Sequence, residues 1–312
     1  MVKNLTSVIL LICALFIFVV VNIRSIKAQD ENIIWTGTFE DGTVDEWQPG
    51  LTTFPWISGP GVTNYTLVSS GALTKNYSVR ISIDTTNGEA GIRWPRRSIG
   101  EDQALPDEAY YSVWFFLTDT FTSEWWNFMQ WKRAYKIDDT ESSDPVASIN
   151  FEERDNGSLY FSLNYKVGDD GNYDTYPGKR NIAEAPDQLN IPLRQWVQLE
   201  CFYRWSITPD GEITCWQDGK LLFSESNIQT EFDYPFSDEN IYRQWSVNAY
   251  AEDVNPSPYS FFIDDAVISK VQISFRSPTL IAQSLWAIGV SIVLLGVFAS
   301  GGGIYIMRRK RY

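Results

Sequence analysis

Apolar and polar residues alternate in short runs through the middle of the chain, and Gly, Pro, Asp and Asn separate the runs. A period of two is the strand period. The alternation predicts strands over Ser78–Ile83, Tyr110–Leu117, Trp126–Arg133, Ala147–Arg154, Leu159–Lys166, Trp196–Trp205, Glu212–Trp216, Tyr242–Tyr250 and Ser260–Ser269. No segment between the chain ends carries the 3.6-residue period of an amphipathic helix. Short strands in such number within one domain predict an all-β fold, a two-sheet sandwich of the jelly-roll type.

One predicted strand is unusual. The run EWWNFMQWKRAYK, Glu124 to Lys136, holds three tryptophans around a glutamine and a lysine. Strict alternation puts Trp126, Phe128, Gln130 and Lys132 on one face, and Asn127, Met129, Trp131 and Arg133 on the other. Three further strands carry a polar face of one kind. Asn150 and Glu152 alternate with Ile149 and Phe151; Tyr160, Ser162, Asn164 and Lys166 with Leu159, Phe161, Leu163 and Tyr165; Tyr242, Gln244, Ser246, Asn248 and Tyr250 with Trp245, Val247 and Ala249. Rings beside amides suit sugars, whose C–H faces lie on aromatic surfaces and whose hydroxyls need partners. The candidate sugar-binding residues are therefore Trp126, Asn150, Glu152, Tyr160, Asn164, Tyr242, Gln244 and Asn248. A plain solvated sheet face is the competing explanation for any one strand.

The clearest hairpin is WVQLECFYRWSITPDGEITCWQDGKLLF, with Pro209-Asp210-Gly211 at its turn and Asp218-Gly219 at the next. Pairing Trp205 with Gly211 also sets Cys201 opposite Cys215, a pair suited to a disulfide. The third cysteine, Cys13, lies in an N-terminal apolar run.

The two chain ends change the picture from a plain soluble domain. Leu5 to Ile23 is nearly all apolar, which predicts a signal peptide or signal anchor over residues 1–28. Residues 279–307 are apolar enough for a transmembrane helix, and the basic tail 308–312 belongs in the cytoplasm. Residues 29–278 are then an extracellular domain on a cell membrane, with sequons at Asn64, Asn76 and Asn156. The whole chain has net charge −14, and residues 29–278 alone carry −21. That surface repels nucleic acid and other polyanions unless a local basic patch overrides it, argues against a polyuronate substrate, and is compatible with a neutral glycan or with calcium.

The run YYSVWFFLTDTFTSEWWNFMQWK, the later W…YRW…DGEITCWQDGKLL and the closing FFIDDAVIS resemble polysaccharide lyases with the concanavalin A-like jelly roll, of the heparin-lyase and alginate-lyase types. The resemblance spans most of Ile33 to Ser269 and rests on the order of the motifs. It implies a sheet forming a cleft for a polysaccharide. It also implies a Gln-x-His strand, matched here by Gln130-Trp131-Lys132 in its glutamine alone, and a Lys-x-Gly-x-Tyr strand, matched in Tyr250 alone. A third strand holding Arg beside Glu is matched by Gly91-Ile92-Arg93-Trp94 in its arginine, without the glutamate. The chain contains no histidine.

The catalytic set so implied is Tyr250, Lys132, Gln130 and Arg93. Gln130, Arg93 and Lys132 would neutralise a uronate carboxylate; Tyr250, made more acidic by the cations, would act as base and acid, with Lys132 as reserve base. Glu40-Asp41 and Asp264-Asp265 resemble the meeting terminal strands of carbohydrate-binding jelly rolls, which often hold a structural calcium, and acidic turns explain the same residues. The alternative functions are a non-catalytic glycan-binding module or an adhesin. A glycoside hydrolase is disfavoured: Glu152 and Glu153 point to opposite faces, and Glu231-Phe232-Asp233 lacks a third carboxylate.

Overall fold

The computed structural model describes residues 31–47, 56–69, 71–73, 76–97, 105–137, 140–166, 180–184, 189–231 and 241–273. The chain divides into two compact units, residues 1–273 and 274–312, and every described residue lies in the first. The segments expected at the membrane, 1–28 and 279–312, lie outside the described residues; among the latter no helix is long and apolar enough to cross a membrane.

The described residues form an all-β sandwich of two antiparallel sheets. The strands are β1 (Ile33–Gly37), β2 (Trp56–Ser58), β3 (Val62–Val68), β4 (Ser78–Asp84), β5 (Ala90–Arg97), β6 (Glu108–Leu117), β7 (Trp125–Ile137), β8 (Thr140–Glu153), β9 (Leu159–Lys166), β10 (Arg180–Glu184), β11 (Trp196–Arg204), β12 (Gly211–Gln217), β13 (Lys220–Ile228), β14 (Ile241–Glu252) and β15 (Tyr259–Ser269). The first sheet runs β13-β12-β11-β6-β15-β4-β3, with β1 paired to the end of β15. The second runs β10-β9-β8-β7-β14-β5-β2.

All nine strands read from the alternation are present. The remaining ones are short, as β1, β2 and β10 are, or alternate poorly: β3 is VTNYTLV, and β5 carries Pro95 and two adjacent arginines. The hairpin register is the one expected. Cys201 pairs with Cys215, Arg204 with Glu212, and the two sulfurs are joined. The terminal strands also meet, with Thr36 opposite Val267 and Gly37 opposite Ala266.

Aromatic rings fill the space between the sheets. Phe115 of β6 packs on Phe128, Phe151 and Phe161 of the opposite sheet, Trp131 stacks on Tyr203 at 4.7 Å, and Trp47 stacks on Trp245 at 5.7 Å. Each such ring removed from water contributes roughly 1.5–3 kcal/mol, so this layer fixes which face of each strand is inner. At one end of the layer Glu231 is held by two arginines that face each other across β7 and β14. Arg243 grips it with two bonds of 2.9 and 2.8 Å, and Arg133 adds a third contact at 2.9 Å.

Candidate active site on the outer face of the second sheet

The inner face of β7 does not follow strict alternation. Asn127 pairs with Asn150 but Met129 pairs with Ile149, so Phe128 is an extra residue in the β7–β8 ladder. Trp126, Phe128, Met129 and Trp131 are all fully buried, and Trp126 packs on Phe121, Phe151, Tyr259 and Phe261. The bulge lets two consecutive side chains enter the core, and it shifts the phase of the rest of the strand. Gln130 and Lys132 thus fall on the outer face with Asn127, not with Trp126 and Phe128. This corrects the expectation for Trp126, which is core and has no surface to offer a sugar.

The other expected residues lie together. On β14 the buried Trp245, Val247, Ala249 and Ala251 set the inner face, leaving Gln244, Ser246, Asn248 and Tyr250 outward, with half-buried Tyr242 in phase with them. On β5, Ile92 and Trp94 are inner, so Arg93 is outer and sits directly opposite Asn248. On β8 and β9, Asn150, Glu152, Tyr160 and Asn164 are outer by the same reasoning, with Ser162 donating to Glu152 Oε1 at 2.8 Å and Arg154 over the Tyr160 ring at 4.1 Å.

Ladder register orders these side chains into rows across the strands. One row is Asn164, Ser148, Gln130 and Ser246; the next is Ser162, Asn150, Asn127, Tyr250 and Gly91. Asn248 donates to Asn127 Oδ1 at 2.5 Å, linking β14 to β7. Gln130 is 3 % exposed and Lys132 6 %. Gln130 Nε2, Ser246 Oγ, Asn248 Oδ1 and Arg93 Nε are buried without a hydrogen-bond partner. Buried polar atoms are nearly always paired, so these four have hydrogen-bonding capacity left to offer a ligand's polar groups.

Tyr250 is the best-defined member. Its ring lies against Gly91, the Arg93 guanidinium carbon is 4.5 Å from the ring centroid, and Trp125 packs edge-on with the ring centroids 4.6 Å apart. Trp125 is itself fixed by its indole N–H on Glu252 Oε2 at 2.9 Å. The hydroxyl donates to Glu89 Oε2 at 3.0 Å. Burial pushes the Tyr250 phenol up from its ordinary value, and the hydrogen bond and charge of Glu89 push it further; Arg93 pulls it down but is outweighed. The cation therefore does not make Tyr250 the more acidic phenol expected of it; it rests neutral.

Glu89 was not among the expected residues. It precedes β5 by one position, four residues ahead of Arg93, so the spacing differs from an Arg beside a Glu. Lys132 is also displaced from its expected role. It is five residues along β7 from Asn127, the register partner of Tyr250, which is roughly 15 Å at strand rise.

The four carboxylates expected to hold calcium do not form a ligand set. Among the described residues no three His, Cys, Asp or Glu side chains gather as a metal group would. Glu40 accepts the Asn76 and Tyr77 backbone N–H groups, Asp264 accepts those of Leu73 and Asp265, and Asp41 accepts from Thr43. These contacts tie loops to strand ends.

Comparison with known proteins agrees with this architecture. A model of the polysaccharide lyase family matches residues 39–265. The crystal structure of an endo-β-1,4-glucuronan lyase from the fungus Trichoderma reesei superposes with a TM-score of 0.53 at 16% identity, over 74% of this chain and 95% of that one. A marine PL-14 alginate lyase from Aplysia kurodai gives 0.47 at 10% identity, over 76% and 98%, and the alginate lyase vAL-1 from Chlorella virus gives 0.46 at 10%, over 77% and 100%. Curated protein sequences yield no match. The family match spans β2 to β14 and most of β15, including the whole outer-face patch, and the chain belongs to the polysaccharide lyase family.

Proposed function

We propose that the protein cleaves a uronate-containing polysaccharide by β-elimination, binding it on the outer face of the second sheet. The observation that carries this reading is the convergence of Arg93, Asn248, Asn127 and Tyr250, from three neighbouring strands, on one outward patch with Gln130 in the next row. β-Elimination needs the uronate carboxylate neutralised so that the C5–H bond becomes acidic, then a group to receive that proton and one to protonate the leaving oxygen. Arg93 supplies the charge, and the orphaned amide of Gln130 supplies a hydrogen bond. Tyr250 is the proton-transfer group beside them. Lys132, at the far end of the patch, binds a neighbouring sugar in this reading and is not the base.

Asn150, Glu152, Tyr160 and Asn164 extend the patch over β8 and β9 and contact sugars further along the chain. The apolar segment 279–307 and its basic tail support a tether to a cell membrane, with this face outside the cell. The test is to incubate the purified protein with a panel of uronic-acid polymers and follow the ultraviolet absorbance of new C4–C5 double bonds. Glycan binding without that absorbance across the panel would leave a binding module and reject the lyase.

A further inference from the structure

Glu89 touches the group that moves the protons. Its place is tightly constrained: Gly61 N–H donates to its carbonyl at 2.9 Å, and a Cβ on Gly59 would lie 2.2 Å from that same oxygen. The turn carrying Glu89 is thus packed directly on the 59–61 segment. Its carboxylate receives the Tyr250 hydroxyl from the side of β5, while Arg93 covers the ring. Glu252, two residues along β14, is bonded to the Trp125 indole.

A neutral phenol is a weak base, the chain has no histidine, and Lys132 lies too far along β7 to share one sugar with Tyr250. We propose, resting on the lyase reading above, that Glu89 is the proton acceptor behind Tyr250. As the C5–H bond breaks, its proton passes to the phenol oxygen and the phenol's own proton passes to Glu89 Oε2. The C5–H electron pair becomes the C4–C5 double bond and the C4–O bond breaks. The departing oxygen takes a proton from Tyr250, which recovers its own from Glu89. The net change moves one proton from C5 to the leaving oxygen, and both side chains end as they began. Glu89 acts through Tyr250 and positions its proton without touching the sugar.

The experiment compares full-length wild type, Glu89→Gln, Glu89→Asp and Tyr250→Phe, after confirming by thermal unfolding that each is folded. Tyrosine is labelled with ¹³C at Cζ, and the Tyr250 resonance is assigned by its loss in Tyr250→Phe. Glu89→Gln is expected to lower the Tyr250 titration midpoint, cut kcat roughly 100-fold with KM within about twofold, and remove the acid limb of the kcat–pH profile, with Glu89→Asp partly restoring all three. An unchanged midpoint or an unchanged kcat in Glu89→Gln overturns the proposal. So does a Tyr250→Phe protein more active than Glu89→Gln, since Glu89 would then act directly. If wild type cleaves no polymer yet the midpoint moves, Glu89 still governs the Tyr250 proton and the lyase reading alone has failed.

Discussion

Gly91 and Tyr250 face each other across β5 and β14, and a Cβ built on Gly91 would lie 2.3 Å from Tyr250 Cδ2. The missing side chain is what lets the ring lie across β5 and reach Glu89 on one side and Arg93 on the other. A glycine in a strand interior weakens the strand unless something approaches it closely, and here that something is the Tyr250 ring.

Gly91→Ala is therefore expected to lower kcat about 100-fold, because the ring must move by an ångström or more. The overpacking costs about 1–3 kcal/mol, so the variant still folds. Steady-state kinetics alongside a denaturant titration check this; full activity in a folded Gly91→Ala protein would show that Tyr250 does not need this position.

Removing the charge of Glu231 acts on stability instead. Arg133 and Arg243 would lose the carboxylate that holds both of them at the end of the core. Glu231→Ala is expected to cost roughly 3–5 kcal/mol, as when one partner of a buried ion pair is removed. Chemical denaturation measures it, and a loss below about 1 kcal/mol would mean that other partners, such as the Asp107 that Arg243 already holds at 2.7 Å, compensate.

The Cys201–Cys215 bridge closes a loop of 14 residues in sequence separation. Replacing both cysteines with serine is expected to lower stability by about 3 kcal/mol while leaving cleavage unchanged at moderate temperature, since the bridge lies in the first sheet and the patch in the second. Urea midpoints and activity on the same samples separate the two effects.

Glu200, buried on the outer face of the first sheet, accepts the Ile273 N–H at 2.7 Å. Burial pushes its carboxyl up from 4.5 to about 7. The group is uncharged in the fold where the unfolded chain would already be ionised, so stability is greatest below about pH 4.5 for this group and falls as pH rises toward 7. The total is at most about 3.5 kcal/mol. Glu200→Gln is expected to flatten the decline in unfolding free energy between pH 5 and 8, and an identical pH slope in the two proteins would show that Glu200 does not titrate there.

Much of this molecule could be read from alternation alone, for a definite physical reason. Where one strand face packs on the other sheet and one does not, as in β9 and β14, period two appears in the sequence, and both the strand and its outward residues follow. Asn150, Asn164, Asn248 and Tyr250 fall on outward faces in that way. The reading failed where the backbone departs from period two. The β7 bulge at Phe128 sends both Phe128 and Met129 inward, so Trp126 passed for a cleft residue. Glu89 escaped because it lies in a turn, where side-chain direction depends on the packing of Gly59 and Gly61. The net shift of Tyr250 was misjudged although Arg93 does pull it down, because charge can be counted along a chain while burial and a contacting glutamate cannot.

Proton transfer on a uronate is the chemistry proposed for this outer face. Its most direct test is the absorbance of unsaturated product when wild type and Tyr250→Phe are each given the same panel of uronic-acid polymers. Cleavage of at least one polymer by wild type, falling at least about 100-fold in a folded Tyr250→Phe protein that still binds that polymer, is the predicted result. Equal rates from the two proteins would contradict it.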